Sequence, residues 1–106
     1  MDVAFVALEK LSVLQEGYKK AFKVNGVDLL LIHHDDQTVL IENRCPHMDV
    51  PLVTGTLIYP SAIRCRAHGI EFNLKTGEAG GPLAGTLDCL KKYPLAYEGN
   101  QVGVDL

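Results

Sequence analysis

Two short pairs of metal-ligating residue types set the tightest limit on how this chain can fold. Cys45-Pro46-His47 and Cys65-Arg66-Ala67-His68 stand seventeen residues apart in a chain of 106. Two thiolates and two imidazoles make a four-ligand set. Each pair is close enough for one loop to present both side chains, with Pro46 and Gly69 shaping the turns. A fold that uses all four must bring two loops to one point. Structural zinc also takes Cys₂His₂, but in its usual order two cysteines precede two histidines. Here the order alternates, which lets two adjacent metal ions be served, both thiolates on one and both imidazoles on the other. A nucleophile–base reading of Cys45 and His47 leaves the second, matched pair unexplained.

The rest of the chain reads as short strands joined by turns. Asn25-Gly26 separates Tyr18–Val24 from Val27–His33, and this dipeptide between apolar runs predicts a type I′ hairpin, whose two central residues need positive φ. A polar turn, His34-Asp35-Asp36-Gln37, leads to a strand at Thr38–Glu42. The tail repeats the design with Leu95–Glu98, a Gly99-Asn100 turn and Gln101–Leu106. A first strand is expected around Val3–Ala7, and Leu8, Leu11 and Leu14 at three-residue spacing allow one helical turn after it. No long amphipathic helix, internal repeat or low-complexity linker is visible. The two ends therefore read as meander strands of an all-β antiparallel sandwich or small barrel. Between them, roughly Asn43 to Pro82, the chain is rich in Gly, Pro, Cys and His. That stretch is too long for an idle loop in a compact domain and reads as an insertion carrying the function.

Length and charge narrow the classes further. A chain of 106 residues is one domain, with no room for an appended regulatory one. Ten basic against 13 acidic side chains, net −3, argue against general nucleic-acid binding and against adhesion to anionic membranes. No uninterrupted apolar stretch, Leu29–Ile32 included, comes near the ~20 residues of a membrane span. Val3–Leu8 follows Asp2 and runs into Glu9 and Lys10, without the basic n-region, long apolar core and cleavage site of a secretory signal. The expected compartment is the cytoplasm. Three cysteines, an odd number, do not suggest a secreted disulfide framework, and in a reducing compartment Cys near His is more often metal-binding or catalytic.

With these boxes in hand, Cys-Pro-His, seventeen residues, then C-x-x-H-G-x-x-F-N-x-x-T-G-E resembles the Rieske ferredoxin family. Gly69, Phe72, Asn73 (an Asp in many members), Thr76-Gly77 and Gly81-Pro82 fall where the family's cluster domain has them. The terminal strands agree with its base domain in number and turn chemistry, so the resemblance covers essentially the whole chain. It implies an all-β fold of three antiparallel sheets, with base strands at about 1–42 and 83–106 and a cluster-binding subdomain at about 43–82. It implies a Rieske-type [2Fe–2S] cluster, with Cys45 and Cys65 on the inner iron and His47 and His68 on the outer iron, near the surface. The family further implies a one-electron carrier, not an enzyme. Such a carrier takes its electron from an NAD(P)H-dependent flavin reductase and delivers it to a terminal oxygenase, often an aromatic-ring one. It is expected to be monomeric, with neither nucleic acid nor membrane as partner. Two alternatives stay open: the Rieske-like small subunit of an assimilatory nitrite reductase, where related domains often lack the ligands, and a zinc-stabilised interaction module.

Departures from the pattern add detail. High-potential members carry a Ser and a Tyr after the second box, where this chain has Ile70 and Phe72. They also carry two loop-bridging cysteines, at the places of Val50 and Ala67. Both departures point to the low-potential subclass, near roughly −150 mV. All three arginines, Arg44, Arg64 and Arg66, flank the ligand cysteines; they solvate strand ends or concentrate positive charge for docking to acidic partners. His33 and His34 read as a solvated turn, His34 with a weak pH-sensitive contact. Cys89 reads as a small buried apolar residue, Met48 as shielding or gap-filling, and Pro82 as packing over the cluster.

Overall fold

The computed structural model describes residues 4–46, 50–66, 69–80 and 90–106. Among them lie β1 (Phe5–Lys10), β2 (Tyr18–Val24), β3 (Val27–His34), β4 (Gln37–Glu42) and β5 (Thr56–Ile58). The later strands are β6 (Ala62–Arg64), β7 (Glu71–Asn73), β8 (Lys92–Tyr93), β9 (Ala96–Glu98) and β10 (Gln101–Asp105). They form three antiparallel sheets in the orders β1-β10-β9, β2-β3-β4-β8 and β5-β6-β7. The all-β, three-sheet architecture expected from the sequence is therefore present. The β5-β6-β7 sheet is built wholly from the middle of the chain, and the other two from its ends.

Strand β3 explains the layering. Successive strand side chains point to opposite faces. Leu29 and Leu31 join Leu40, Val102 and Val104 in one apolar cluster, which lies between the four-stranded sheet and β10. Leu30 and Ile32 point the other way and join Ile41, Ile63, Phe72 and Leu90 in a second cluster, under the small sheet. Leu29, Leu30, Leu31 and Ile32 are all fully buried, so this four-residue run is apolar because both faces of the strand are covered. Burying each such side chain stabilises the fold by about 1.5–3 kcal/mol relative to leaving it in water. The four-stranded sheet is the middle layer of the molecule.

The turns follow local chemistry. Asn25 and Gly26 have φ of 50° and 81°, the positive values a type I′ hairpin needs, and the β2–β3 register runs unbroken from Val24↔Val27 to Tyr18↔His33. Asp35 and Asp36 also have positive φ, 51° and 63°, and close the β3–β4 hairpin at the His34↔Gln37 pair. The helical turn anticipated after β1 is a short 3₁₀ segment, Leu11–Val13. At Gly103, opposite the register shift in β1, a Cβ would collide with the Val6 carbonyl, so only glycine lets β10 approach β1 this closely.

Polar side chains tie the middle sheet to the small one. Lys19 of β2 donates to the carbonyl oxygens of Val53, at 3.0 Å, and Gly55, covering carbonyls at the end of the 3₁₀ turn Leu52–Thr54. Burial pulls its ammonium pKa down from the ordinary lysine value. The second tie corrects an expectation. His34 is not a solvated turn residue but is buried, 3% exposed, and bonded to Glu16 and to the carbonyl of Ile58. The polar neighbours Asp35 and Asp36 suggest a turn, yet the strand continues through His34, whose side chain shares the face of Leu30 and Ile32. His33, on the other face, is half-buried beside the Thr38 hydroxyl at 2.8 Å.

Candidate metal centre

Two loops, each opened by a cysteine, follow strands of two different sheets. Cys45 follows β4, and its backbone N–H donates to the Val50 carbonyl at 2.9 Å. Cys65 follows β6 directly, and its N–H donates to the Ile70 carbonyl at 2.7 Å. In each case the amide of a cysteine closes on the carbonyl five residues later. Gly69, with φ of 67°, returns the second loop toward β7 in a conformation that glycine adopts without strain.

The first loop has a further clamp. Asn43 donates its N–H to the Asp28 carbonyl at 2.9 Å, while its side-chain oxygen accepts from the Val53 N–H at 2.9 Å. Asn43 thereby holds both ends of the segment carrying Cys45 against β3 and the 3₁₀ turn. Sequence reasoning missed this residue, because an Asn at a strand end reads as ordinary turn chemistry.

Both thiols are buried, Cys45 at 0% and Cys65 at 1% exposure, and neither forms a disulfide. They share one apolar cluster with Leu52, Ile63, Ile70 and Phe72. Two unbridged thiols at the mouths of matched loops suit a soft metal site, in which the bound metal balances thiolate charge inside an apolar wall. The donor set thus fits an iron–sulfur group. His47 and His68 lie outside the described residues, as do Met48, Ala67, Pro82 and Cys89. By chain position each histidine falls within one of the spans closed by a cysteine amide. Ile70 and Phe72, which stand where a hydroxyl donor would stand in high-potential members, pack in the same cluster as the two cysteines. Val50 packs against that cluster as well.

The three arginines do not act as one group. Arg44 pairs with Glu42 at 3.1 Å, and Arg64 places Nε and one terminal nitrogen on Glu71 at 3.2 and 2.8 Å, across the β6–β7 pair. Arg66 is exposed and has no ion pair among the described residues. The concentration of positive charge anticipated around the cysteines reduces to Arg66, since carboxylates offset the other two. Such exposed pairs are worth about 0–1 kcal/mol.

The model of the Rieske [2Fe-2S] domain matches residues 4–94, most of the chain. The chain belongs to the Rieske [2Fe-2S] domain family. The ferredoxin component of the alkene monooxygenase system of Xanthobacter autotrophicus is 30% identical to this Rieske chain over 101 residues, 95% of this chain and 80% of that protein. The ferredoxin of carbazole 1,9a-dioxygenase from Nocardioides aromaticivorans superposes with a TM-score of 0.80 at 25% identity, covering 94% of this chain and 95% of that one. A Sphingomonas yanoikuyae ferredoxin shares the fold, with a TM-score of 0.83 at 23% identity over 97% and 99% of the two chains. The cofactor of this Rieske protein is a [2Fe–2S] cluster, and its role is electron transfer.

Proposed function

We propose that this Rieske ferredoxin carries single electrons from an NAD(P)H-dependent flavin reductase to a terminal oxygenase, on a cluster held by Cys45, His47, Cys65 and His68. The observation that carries the assignment is the matched pair of loops, each opened by a buried, unbridged cysteine whose amide closes on the fifth residue beyond it. When bound, the cluster supplies a site that gains and loses one electron without change in the protein's covalent structure. The chain's own residues do the rest. Cys45 and Cys65 anchor the group from the apolar side, where Leu52, Ile63 and Phe72 keep water away from sulfur. With Ile70 and Phe72 in the wall, no hydroxyl at those positions stabilises the reduced state, which favours a potential near the low end of the Rieske range, about −150 mV.

The partners follow from the relatives. One is a ferredoxin component of an alkene monooxygenase system, and a ferredoxin of the same fold is recorded in complex with the oxygenase of carbazole 1,9a-dioxygenase. A cytoplasmic monomer of one domain, in which the 43–82 subdomain presents the cluster, suits this role. Among the described residues no helix is long and apolar enough to cross a membrane.

The test is the visible and low-temperature EPR spectra of anaerobically purified protein before and after dithionite, with iron and sulfide assays. Two irons and two sulfides per chain, and a reduced signal of low average g, are expected. Cys45→Ala and Cys65→Ala are each expected to abolish the signal. A colourless protein that holds zinc after attempted cluster reconstitution would overturn the reading.

A further inference from the structure

A second polar cluster, unconnected with the proposed ligands, lies where the middle sheet meets the small one. The imidazole of His34 is 3% exposed. Its Nδ1 lies 2.9 Å from Oε2 of Glu16, and its Nε2 lies 2.9 Å from the carbonyl oxygen of Ile58. The Tyr59 ring tilts against the imidazole with centroids 4.5 Å apart, and the Tyr59 hydroxyl donates to the same Glu16 oxygen at 2.5 Å. The Asp35 amide donates to the other Glu16 oxygen at 2.8 Å. Three parts of the chain therefore meet here: the segment before β2, the end of β3, and the end of β5 with the residue after it.

Donor accounting decides where the proton is. A neutral imidazole has one N–H and one lone pair, a backbone carbonyl only accepts, and an ionised carboxylate only accepts. A neutral ring could bond one of its two partners and would turn a lone pair toward the other across 2.9 Å. Moving the proton to Glu16 does not resolve the conflict. The Tyr59 hydroxyl most of all, with lesser help from the Asp35 amide and His34, holds the Glu16 carboxyl below the usual carboxylate range, against an opposing effect of burial second only to that of Tyr59. The same bond pushes the Tyr59 phenol up, so it stays a donor. The remaining charged groups nearby do not compete. Asp35 and Asp36 are exposed and negative, His33 engages Thr38, and Lys19 engages the carbonyls of Val53 and Gly55.

We propose that doubly protonated His34 is a positioning residue that latches the β5–β6 hairpin, and through it Cys65, onto the middle sheet. One ring nitrogen donates to Glu16 and the other to Ile58, so docking of the hairpin that leads to the second ligand loop is linked to a proton.

The experiment compares the cluster-loaded wild type with Glu16→Gln. The glutamine amide can donate to Nδ1, so a neutral ring keeps both bonds and the proton link disappears. Nitrogen-15 NMR of labelled imidazole at about pH 7.5 is expected to show both His34 nitrogens protonated in the wild type and only Nε2 in Glu16→Gln. A wild-type His34 with a single N–H at that pH would overturn the proposal. The wild-type spectrum decides alone if the variant does not fold.

Discussion

The side-chain oxygen of Asn43 accepts a hydrogen bond from the amide of Val53 at 2.9 Å, ten residues along the chain. Between them runs the loop that opens at Cys45, so this one contact fixes how widely the first ligand loop can gape. Replacing Asn43 by Ala leaves the Val53 N–H without its acceptor, at a cost of about 1–3 kcal/mol. The expected outcome is a lower Tm, less iron per chain and a broadened reduced EPR signal. Asn43→Asp keeps an acceptor oxygen in place and is expected to restore iron content, which metal analysis of the two variants checks.

Phe72 is fully buried in the cluster that contains both cysteines. A hydroxyl added in Phe72→Tyr has the proposed cluster's sulfur environment as its natural acceptor. A hydrogen bond to sulfur favours the more negative, reduced state, so the potential is expected to rise by tens of millivolts in a redox titration. An unchanged potential with a stability loss of about 1–3 kcal/mol would show that the hydroxyl is buried without a partner.

Arg66 is the arginine of the ligand region whose charge no described carboxylate offsets. Charge at the rim of a docking surface acts mainly on association rate. Arg66→Gln is expected to slow reduction of the partner oxygenase at low salt and to match the wild type at high salt, where screening removes the difference. Arg64→Gln is expected to change the rate little, because Glu71 already faces Arg64. Stopped-flow rates over a salt series discriminate the two.

Tyr18 donates its hydroxyl to Glu9 at 2.8 Å and, with the Lys10 amide, holds the Glu9 carboxyl below its ordinary range. A carboxyl depressed in the folded state contributes stability above the unfolded carboxylate range and loses it as pH falls through the folded value. Tyr18→Phe is therefore expected to lower stability at neutral pH and to flatten the loss on acidification below about pH 4.5. Urea unfolding at several acidic pH values measures both effects.

Local chemistry made much of the fold legible in advance. Asn25-Gly26 and Gly99-Asn100 mark their hairpins because few residues accept positive φ, and neither turn depends on the rest of the protein. Cys45 and Cys65 stand out because soft ligands in tight pairs are rare by chance, and the structure places both in one buried cluster. His34 was misjudged because its neighbours in sequence are polar, while its burial comes from Ile58 and Tyr59, more than twenty residues on. The alternation Leu30, Ile32, His34 on one face of β3 was the available signal.

The sequence by itself determined the family, the strand-and-turn order of the two ends and the identity of the candidate ligands, because ligand chemistry and backbone preference are properties of single residues and their immediate spacing. Only the tertiary structure decided that both faces of β3 are covered, that Glu42 and Glu71 offset two of the three arginines, that Asn43 clamps the first loop, and that His34 bridges two sheets. Each of these is a meeting of surfaces brought together by sheet packing. Burial and charge compensation depend on what stands opposite a side chain, and the chain order does not state that.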